Sequence, residues 1–159
     1  MELAAIRSFK IELMTMSHNL SEPVTRQKIL KSIEPLDAKH NHGLLSQIFQ
    51  VEMRDRSHRK TSDYDEDYHE NLYWCGFLLF HVGDLRDVLM MWQAKQIDMD
   101  TNCGFDIQIL VGAGVETTIK FLVENHHQEI ANRLIFCQEQ GDFDRLDEWQ
   151  NFRQSYYYE

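Results

Sequence analysis

Proline and glycine are scarce in this sequence of 159 residues, which contains only two prolines and seven glycines. An all-β sandwich or barrel needs many tight turns, and these two residue types supply them. The shortage therefore disfavours such folds and favours helices. The length fits one domain with a sizeable core. Hydrophobic residues make up 43% of the chain, so extensive disorder is not expected.

Cysteine is rare as well. Cys75, Cys103 and Cys137 are odd in number and widely spaced, and no C-x-x-C pair occurs. This pattern is typical of reduced thiols and disfavours a disulfide framework or a cysteine-rich zinc site. The amino-terminal residues mix acids and bases without the apolar run of a signal peptide, and no segment predicts a membrane span. We therefore expect a cytoplasmic protein without a membrane partner.

Basic residues are too few for nucleic-acid binding. The chain has 16 Lys and Arg against 26 Asp and Glu, a formal net charge of −10. Phosphate backbones are held by an excess of positive charge, so direct binding of nucleic acid is not expected. An acidic excess serves either solubility or the steering of a basic protein partner.

Apolar residues recur at spacings of three and four along most of the chain, which predicts amphipathic helices. The first such stripe comprises Leu3, Ile6, Phe9, Leu13, Met16 and Leu20. A second helix is expected from an N-cap at Ser21 to about Ile33, followed by a loop at residues 40–43 and a third helix from Leu44. The sequence predicts an all-α fold of about seven to eight helices in antiparallel hairpins, forming a single helical domain over residues 1–159.

A faint internal repeat links GDLRDVLMMWQ, which begins at Gly83, with GDFDRLDEWQ, which begins at Gly141. Each follows an apolar helical segment and places a glycine and an aspartate between two helices. The arrangement resembles the helical hairpins of HEAT-like proteins, which implies a short irregular α-solenoid. Two unrelated hairpins that share a turn chemistry are the alternative.

The charge changes sign abruptly near Thr61. A basic stretch ends at Lys60, and a cluster of acids follows, comprising Asp63, Asp65, Glu66, Asp67 and Glu70. Next comes YHENLYWCGFLLFHV, which is apolar nearly all round and predicts the central helix of the core. The acids either complement the dipole of this helix or form an exposed docking loop.

The stretch FDIQILVGAGVETT raises the question of a nucleotide site, because an apolar run precedes the two glycines of a Gly112–Gly114 turn. A dinucleotide motif needs a strand before this turn and a third glycine or alanine, and Thr117 stands at that position. No second strand-like run follows. We therefore expect a joint between two helices, with a nucleotide pocket as the alternative.

The segment just before it, DMDTNCGFD, has the alternating acids that open a calcium loop. Cys103 stands where that loop needs glycine, and Ile109 where it needs glutamate. We interpret the Asp98–Asp106 loop as a polar turn that caps a helix near Phe105. Its anionic side chains, Asp98, Asp100 and Asp106, could still bind a partner's lysines.

No pattern predicts catalysis. The eight histidines include no H-E-x-x-H motif, and no G-x-S-x-G elbow occurs, so we expect no catalytic residue, no metal and no cofactor. Trp92 and Trp149 follow the two Gly–Asp turns at similar offsets. They are expected to pack between hairpins, with anchoring of a partner as the alternative.

The stretch YWCGFLLFHVGDLRDVLMMWQAKQIDMDTNCGFDIQILVGAGVETT resembles small bacterial proteins encoded beside polymorphic toxins. The resemblance implies an immunity protein, a non-catalytic inhibitor whose acidic surface blocks the active site of a basic toxin domain. In that mechanism the acidic residues mimic substrate phosphates while Trp92 and other aromatics anchor the centre; the acids are Asp63, Asp65, Glu66, Asp67, Glu70, Asp98, Asp100 and Asp106. Two other classes remain open: a small enzyme or nucleotide- or metal-binding protein that uses the Gly112–Gly114 turn and the Asp98–Asp106 loop, and a general scaffold.

Overall fold

The computed structural model describes residues 20–58 and 68–159, and these ranges contain helices and no strand. Within these ranges, 3-10 helices span Pro35–Asn41, Leu85–Asp87 and Ile107–Val111. The α-helices are α1 (Pro23–Ser32), α2 (His42–His58), α3 (Asn71–Val82), α4 (Val88–Lys95), α5 (Met99–Gly104), α6 (Val115–Glu124), α7 (Gln128–Glu139) and α8 (Leu146–Tyr158). The predicted all-α fold of seven to eight helices is confirmed. The helix predicted at the amino terminus falls on residues 1–19, outside the described ranges.

The chain forms two compact units, Met1–His81 and Val82–Glu159. The first holds α1, α2 and nearly all of α3, and the second holds α4 to α8. The single helical domain expected over residues 1–159 stays a prediction.

In the first unit, α1 begins at Pro23, whose fixed φ suits the first helical position. The N-cap is Glu22, so the expected cap at Ser21 is wrong by one residue. The loop expected at residues 40–43 is also wrong, because a 3-10 helix runs directly into α2 at His42. There the amide of Asn41 donates to the carbonyl of Asp37 at 2.9 Å, which supports the tight turn.

Among the described residues of the first unit, helices α2 and α3 supply much of the buried apolar surface. Leu45, Ile48 and Phe49 of α2 are completely buried, at the spacing of one helix face. In α3 every residue from Asn71 to Phe80 is buried, as expected for the central helix. The thiol of Cys75 donates to the carbonyl of Leu45 at 3.2 Å, which joins the two helices.

The second unit opens with the predicted Gly–Asp turn. Gly83 has φ +67°, and a Cβ there would lie 3.0 Å from the carbonyl oxygen of Gly112. Both observations require glycine. Asp84 accepts a hydrogen bond from the backbone N–H of Arg86 at 2.9 Å, so it caps the following 3-10 helix. Further along the unit, α6 and α7 pack against each other as a hairpin.

The second copy of the repeat keeps the glycine conformation and loses the cap. Gly141 has φ +83°. However, α8 begins only at Leu146 with Arg145 as N-cap, so Asp142 does not cap it. The turn chemistry is therefore shared only in part, and the α-solenoid arrangement stays a prediction.

Candidate functional site

The predicted partner-binding acids fall into three groups. Asp63, Asp65, Glu66 and Asp67 lie outside the described residues. Glu70 is half-buried in the turn before α3, with its carboxylate 3.0 Å from Nε2 of His69. Asp98, Asp100 and Asp106 all belong to the second unit. Trp92 also belongs to that unit, where it is half-buried on α4.

The acidic segment, defined here as Asp98–Asp106, is helical rather than a loop. Asp98 is the N-cap of α5, and its carboxylate accepts from the N–H of Thr101 at 2.8 Å. The Thr101 hydroxyl accepts in turn from the N–H of Asp98 at 3.0 Å. This capping box starts α5 at Met99, where the sequence predicted only a turn, whereas the helix expected near Phe105 is present as the 3-10 helix Ile107–Val111. Asp98 and Asp100 are both exposed.

Buried Lys95 closes the other end of the acidic segment. Its ammonium donates to the carbonyl of Phe105 at 2.7 Å and to that of Asn102. Burial lowers the pKa of Lys95, and the nearby carboxylate of Asp106 opposes that shift. The lysine thus satisfies carbonyls at the end of α5. Nothing in the local sequence distinguished it from a solvated lysine.

Asp106 connects the acidic segment to α8. Its carboxylate accepts from the indole Nε1 of Trp149 at 2.9 Å and from Nε of Arg153 at 2.6 Å. The nearest ion-pair distance to Arg153 is 2.5 Å, and both side chains are only about one-fifth exposed (22% and 21%). Because its charge is compensated within the unit, Asp106 positions α8 more than it contributes to an anionic surface.

A change of Asp106 to Asn tests this positioning role. The variant keeps an acceptor for Trp149 and loses the charge opposite Arg153. We expect the free energy of unfolding to fall by about 1–2 kcal/mol, within the range for charged hydrogen bonds at a partly exposed site. Urea denaturation followed by circular dichroism measures it. Asp100→Asn, an exposed change of equal charge, is the control, and equal losses in the two variants would contradict the assignment.

The glycine-rich stretch is a joint between helices. Ile107–Val111 is a 3-10 helix with Ile109, Leu110 and Val111 buried, so the apolar run is not a strand. Gly114, with φ +105°, is the N-cap of α6. The structure therefore confirms the expected helix–helix joint. A nucleotide-binding turn would need a strand at the position of this 3-10 helix.

Negative charge is concentrated in the second unit. Residues 82–159 hold 14 acidic and six basic side chains, a net charge of −8, whereas residues 1–81 carry −2. The acids of the second unit are mostly at the surface, and 11 of the 14 are exposed. Three of them, Asp144, Asp147 and Glu148, line an open depression of about 240 Å³ at the start of α8. We call residues 82–159 the acidic unit.

Within residues 20–58 and 68–159, no three His, Cys, Asp or Glu side chains are grouped so that they could hold a metal ion. None of the helices in the described part of the chain combines the length and hydropathy that a membrane crossing requires. Comparisons with protein-family models, with curated proteins and with solved structures found no match to this chain.

Proposed function

We propose that this protein is an immunity protein, which binds a cognate basic toxin domain and blocks its active site with an acidic surface. The proposal makes it a non-catalytic, cytoplasmic protein-binding module. The observation that carries it is the concentration of exposed carboxylates on residues 82–159, which hold −8 of the total charge of −10. A surface of one sign accelerates encounter with a partner of the opposite sign and disfavours other partners.

The acidic segment is the part of the surface best prepared for this role. Asp98 is held by the capping box, and Lys95 fixes the opposite end of α5 through backbone carbonyls. Exposed Asp100 stands between these two fixed points. Preorganised carboxylates lose little side-chain entropy on binding. They would take the positions of substrate phosphates against the lysines and arginines of a nuclease or nucleotide-modifying toxin. Glu70 and the acids at positions 63–67 belong to the same proposal.

The test is binding to the protein encoded by the adjacent gene. The variant Asp98→Asn/Asp100→Lys removes the two exposed negative charges of the acidic segment and keeps an N-cap, because asparagine caps as well as aspartate. We expect its dissociation constant to be at least about tenfold higher than that of the unchanged protein, which corresponds to a loss of roughly 1.4 kcal/mol in binding free energy. Isothermal titration calorimetry at low salt gives the two dissociation constants.

A matched control separates the effect of the acidic segment on affinity from the effect of net charge. Glu129→Gln/Glu139→Lys changes the charge equally at two exposed positions of α7. We expect its affinity to stay within about twofold of the unchanged protein. An equal loss in both variants would show that only net charge matters, and it would overturn the assignment to the acidic segment. Absence of any complex at low salt would overturn the function itself.

A further inference from the structure

Helix α8 exposes a pair of aromatic rings. Phe152 is 62% exposed and Tyr156 is 54% exposed, although aromatic rings usually bury most of their surface. The two rings stack with centroids 6.4 Å apart and planes inclined by 20°. We call this pair the aromatic face. No residue of α8 is buried.

The aromatic face is held in place by the site described above. The guanidinium carbon of Arg153 lies 5.6 Å from the ring centroid of Phe152 and 5.8 Å from that of Tyr156. The same guanidinium donates to Asp106. Arg153 therefore links both rings to the acidic segment, and Trp149 adds a second attachment one turn earlier. Rings fixed in this way lose little freedom when a partner binds.

Acids surround the aromatic face along the chain. Asp142 and Asp144 precede α8, Asp147 and Glu148 lie in its first turn, and Glu159 follows it; all five are exposed. Arg145 pairs with Glu148 and compensates one of these charges. The remaining acids would repel a second copy of the same unit, since two such surfaces carry charge of the same sign. They suit a partner with basic residues around an apolar pocket.

We propose that the aromatic face is the energetic centre of the interface with the basic toxin domain, where Phe152 and Tyr156 enter an apolar pocket rimmed by lysine and arginine. This inference rests on the proposed function and deepens it by naming the anchor. Interfaces concentrate their binding energy in a few central aromatic and arginine residues.

The aromatic face is large enough to form the centre of an interface but too small to form a whole interface. Two aromatic rings bury about 150–250 Å² each, whereas a stable interface needs about 800 Å² per partner. The surrounding acids of α8 and the acidic segment would supply the remaining contact area. Such polar surroundings exclude water from a hot spot and contribute little energy individually.

The test compares Phe152→Ala and Tyr156→Ala with Phe136→Ala. Phe136 of α7 is a matched control, because its ring is 50% exposed and an arginine, Arg133, also stacks over it at 5.6 Å. With the protein encoded by the adjacent gene as the probe, we expect each α8 variant to bind about thirtyfold more weakly. The affinity of the Phe136 variant should stay within about twofold of that of the unchanged protein. Circular dichroism verifies that the exposed substitutions leave the fold intact.

The outcomes separate this inference from the function on which it rests. If the unchanged protein binds and the α8 variants bind equally well, the aromatic face is not the energetic centre of the interface, while the proposed function stands. If the unchanged protein does not bind at all, both proposals fail. If sedimentation shows that the protein alone is a dimer that Phe152→Ala dissociates, the face binds a second copy, which also overturns the inference.

Discussion

Replacement of Arg26 by methionine is expected to lower the free energy of unfolding by about 3–5 kcal/mol, the cost of leaving a buried charge without its partner. Arg26 is completely buried on α1. Its Nε donates to Glu52 at 2.5 Å and its Nη2 to Asp55 at 2.6 Å. Nη1 donates to the carbonyls of Leu20 and Ser21. Urea denaturation measures the loss.

The pH dependence of this loss identifies Glu52 as its main source. Burial raises the pKa of Glu52 above its ordinary value of 4.5, and Arg26 and Asn71 partly oppose that shift. A raised pKa means that Glu52 favours the folded state while protonated, and that this contribution is lost as the pH rises through the folded-state pKa. Without Arg26 the pKa rises further. The deficit of the variant should therefore be largest at neutral pH and smaller below pH 4.5.

Two controls make the Arg26 prediction specific. Lys28→Met, at an exposed position of the same helix, should change the free energy by no more than about 0.5 kcal/mol. The double variant Arg26→Met/Glu52→Leu should recover part of the loss, because it removes the buried carboxylate together with its partner. A loss below about 1 kcal/mol in Arg26→Met would contradict the role assigned to this network.

Replacement of Phe105 by alanine should have an effect of similar size in the acidic unit. Phe105 is completely buried at the end of α5, and its carbonyl accepts from Lys95. Truncation of such a ring leaves a cavity and costs about 3–5 kcal/mol. Because this buried ring lies at the end of the acidic segment, we expect its loss to speed up hydrogen exchange of the segment's backbone amides as well. Hydrogen exchange read by mass spectrometry measures this local opening.

Met99→Ala is the matched control for Phe105, since Met99 lies in the same helix and is 77% exposed. Its free energy of unfolding should change by no more than about 0.5 kcal/mol. Similar losses in the two variants would show that Phe105 does not hold the segment in place.

Local sequence carried enough information to predict the helices and the main turn. Leu45, Ile48 and Phe49 follow helical spacing and bury the corresponding face of α2. Gly83 marks a positive φ and a close backbone approach that other residues tolerate poorly. Spacing and glycine placement are properties of neighbouring residues, so both can be predicted without knowing the fold.

The 3-10 helix Pro35–Asn41 and helix α5 were missed because single side-chain hydrogen bonds support them. Asn41 supports the turn before α2 through the carbonyl of Asp37. The reciprocal bonds of Asp98 and Thr101 start an additional helix at Met99. Capping residues are frequent in loops as well, and so their presence alone does not locate a helix end.

The candidate site was only partly predictable, because its decisive contacts are distant in sequence. Asp106 was recognised as an acid, but its partners Trp149 and Arg153 lie 43 and 47 residues away. Arg26 meets Glu52 at a separation of 26 residues. Charge and periodicity cannot distinguish a compensated carboxylate from a solvated one. The exposure of Phe152 and Tyr156 was likewise hidden, because their spacing fits a buried helix face equally well.

The proposed inhibition is tested most directly by titrating the protein into the basic domain encoded by the adjacent gene, with that domain's activity as the readout. We expect an equimolar complex in which the activity of the domain is lost. We also expect the affinity to fall steeply as salt is raised to about 0.5 M, where exposed charges are strongly screened. Contradiction would take either of two forms: no complex at low salt, or a complex in which the domain remains fully active.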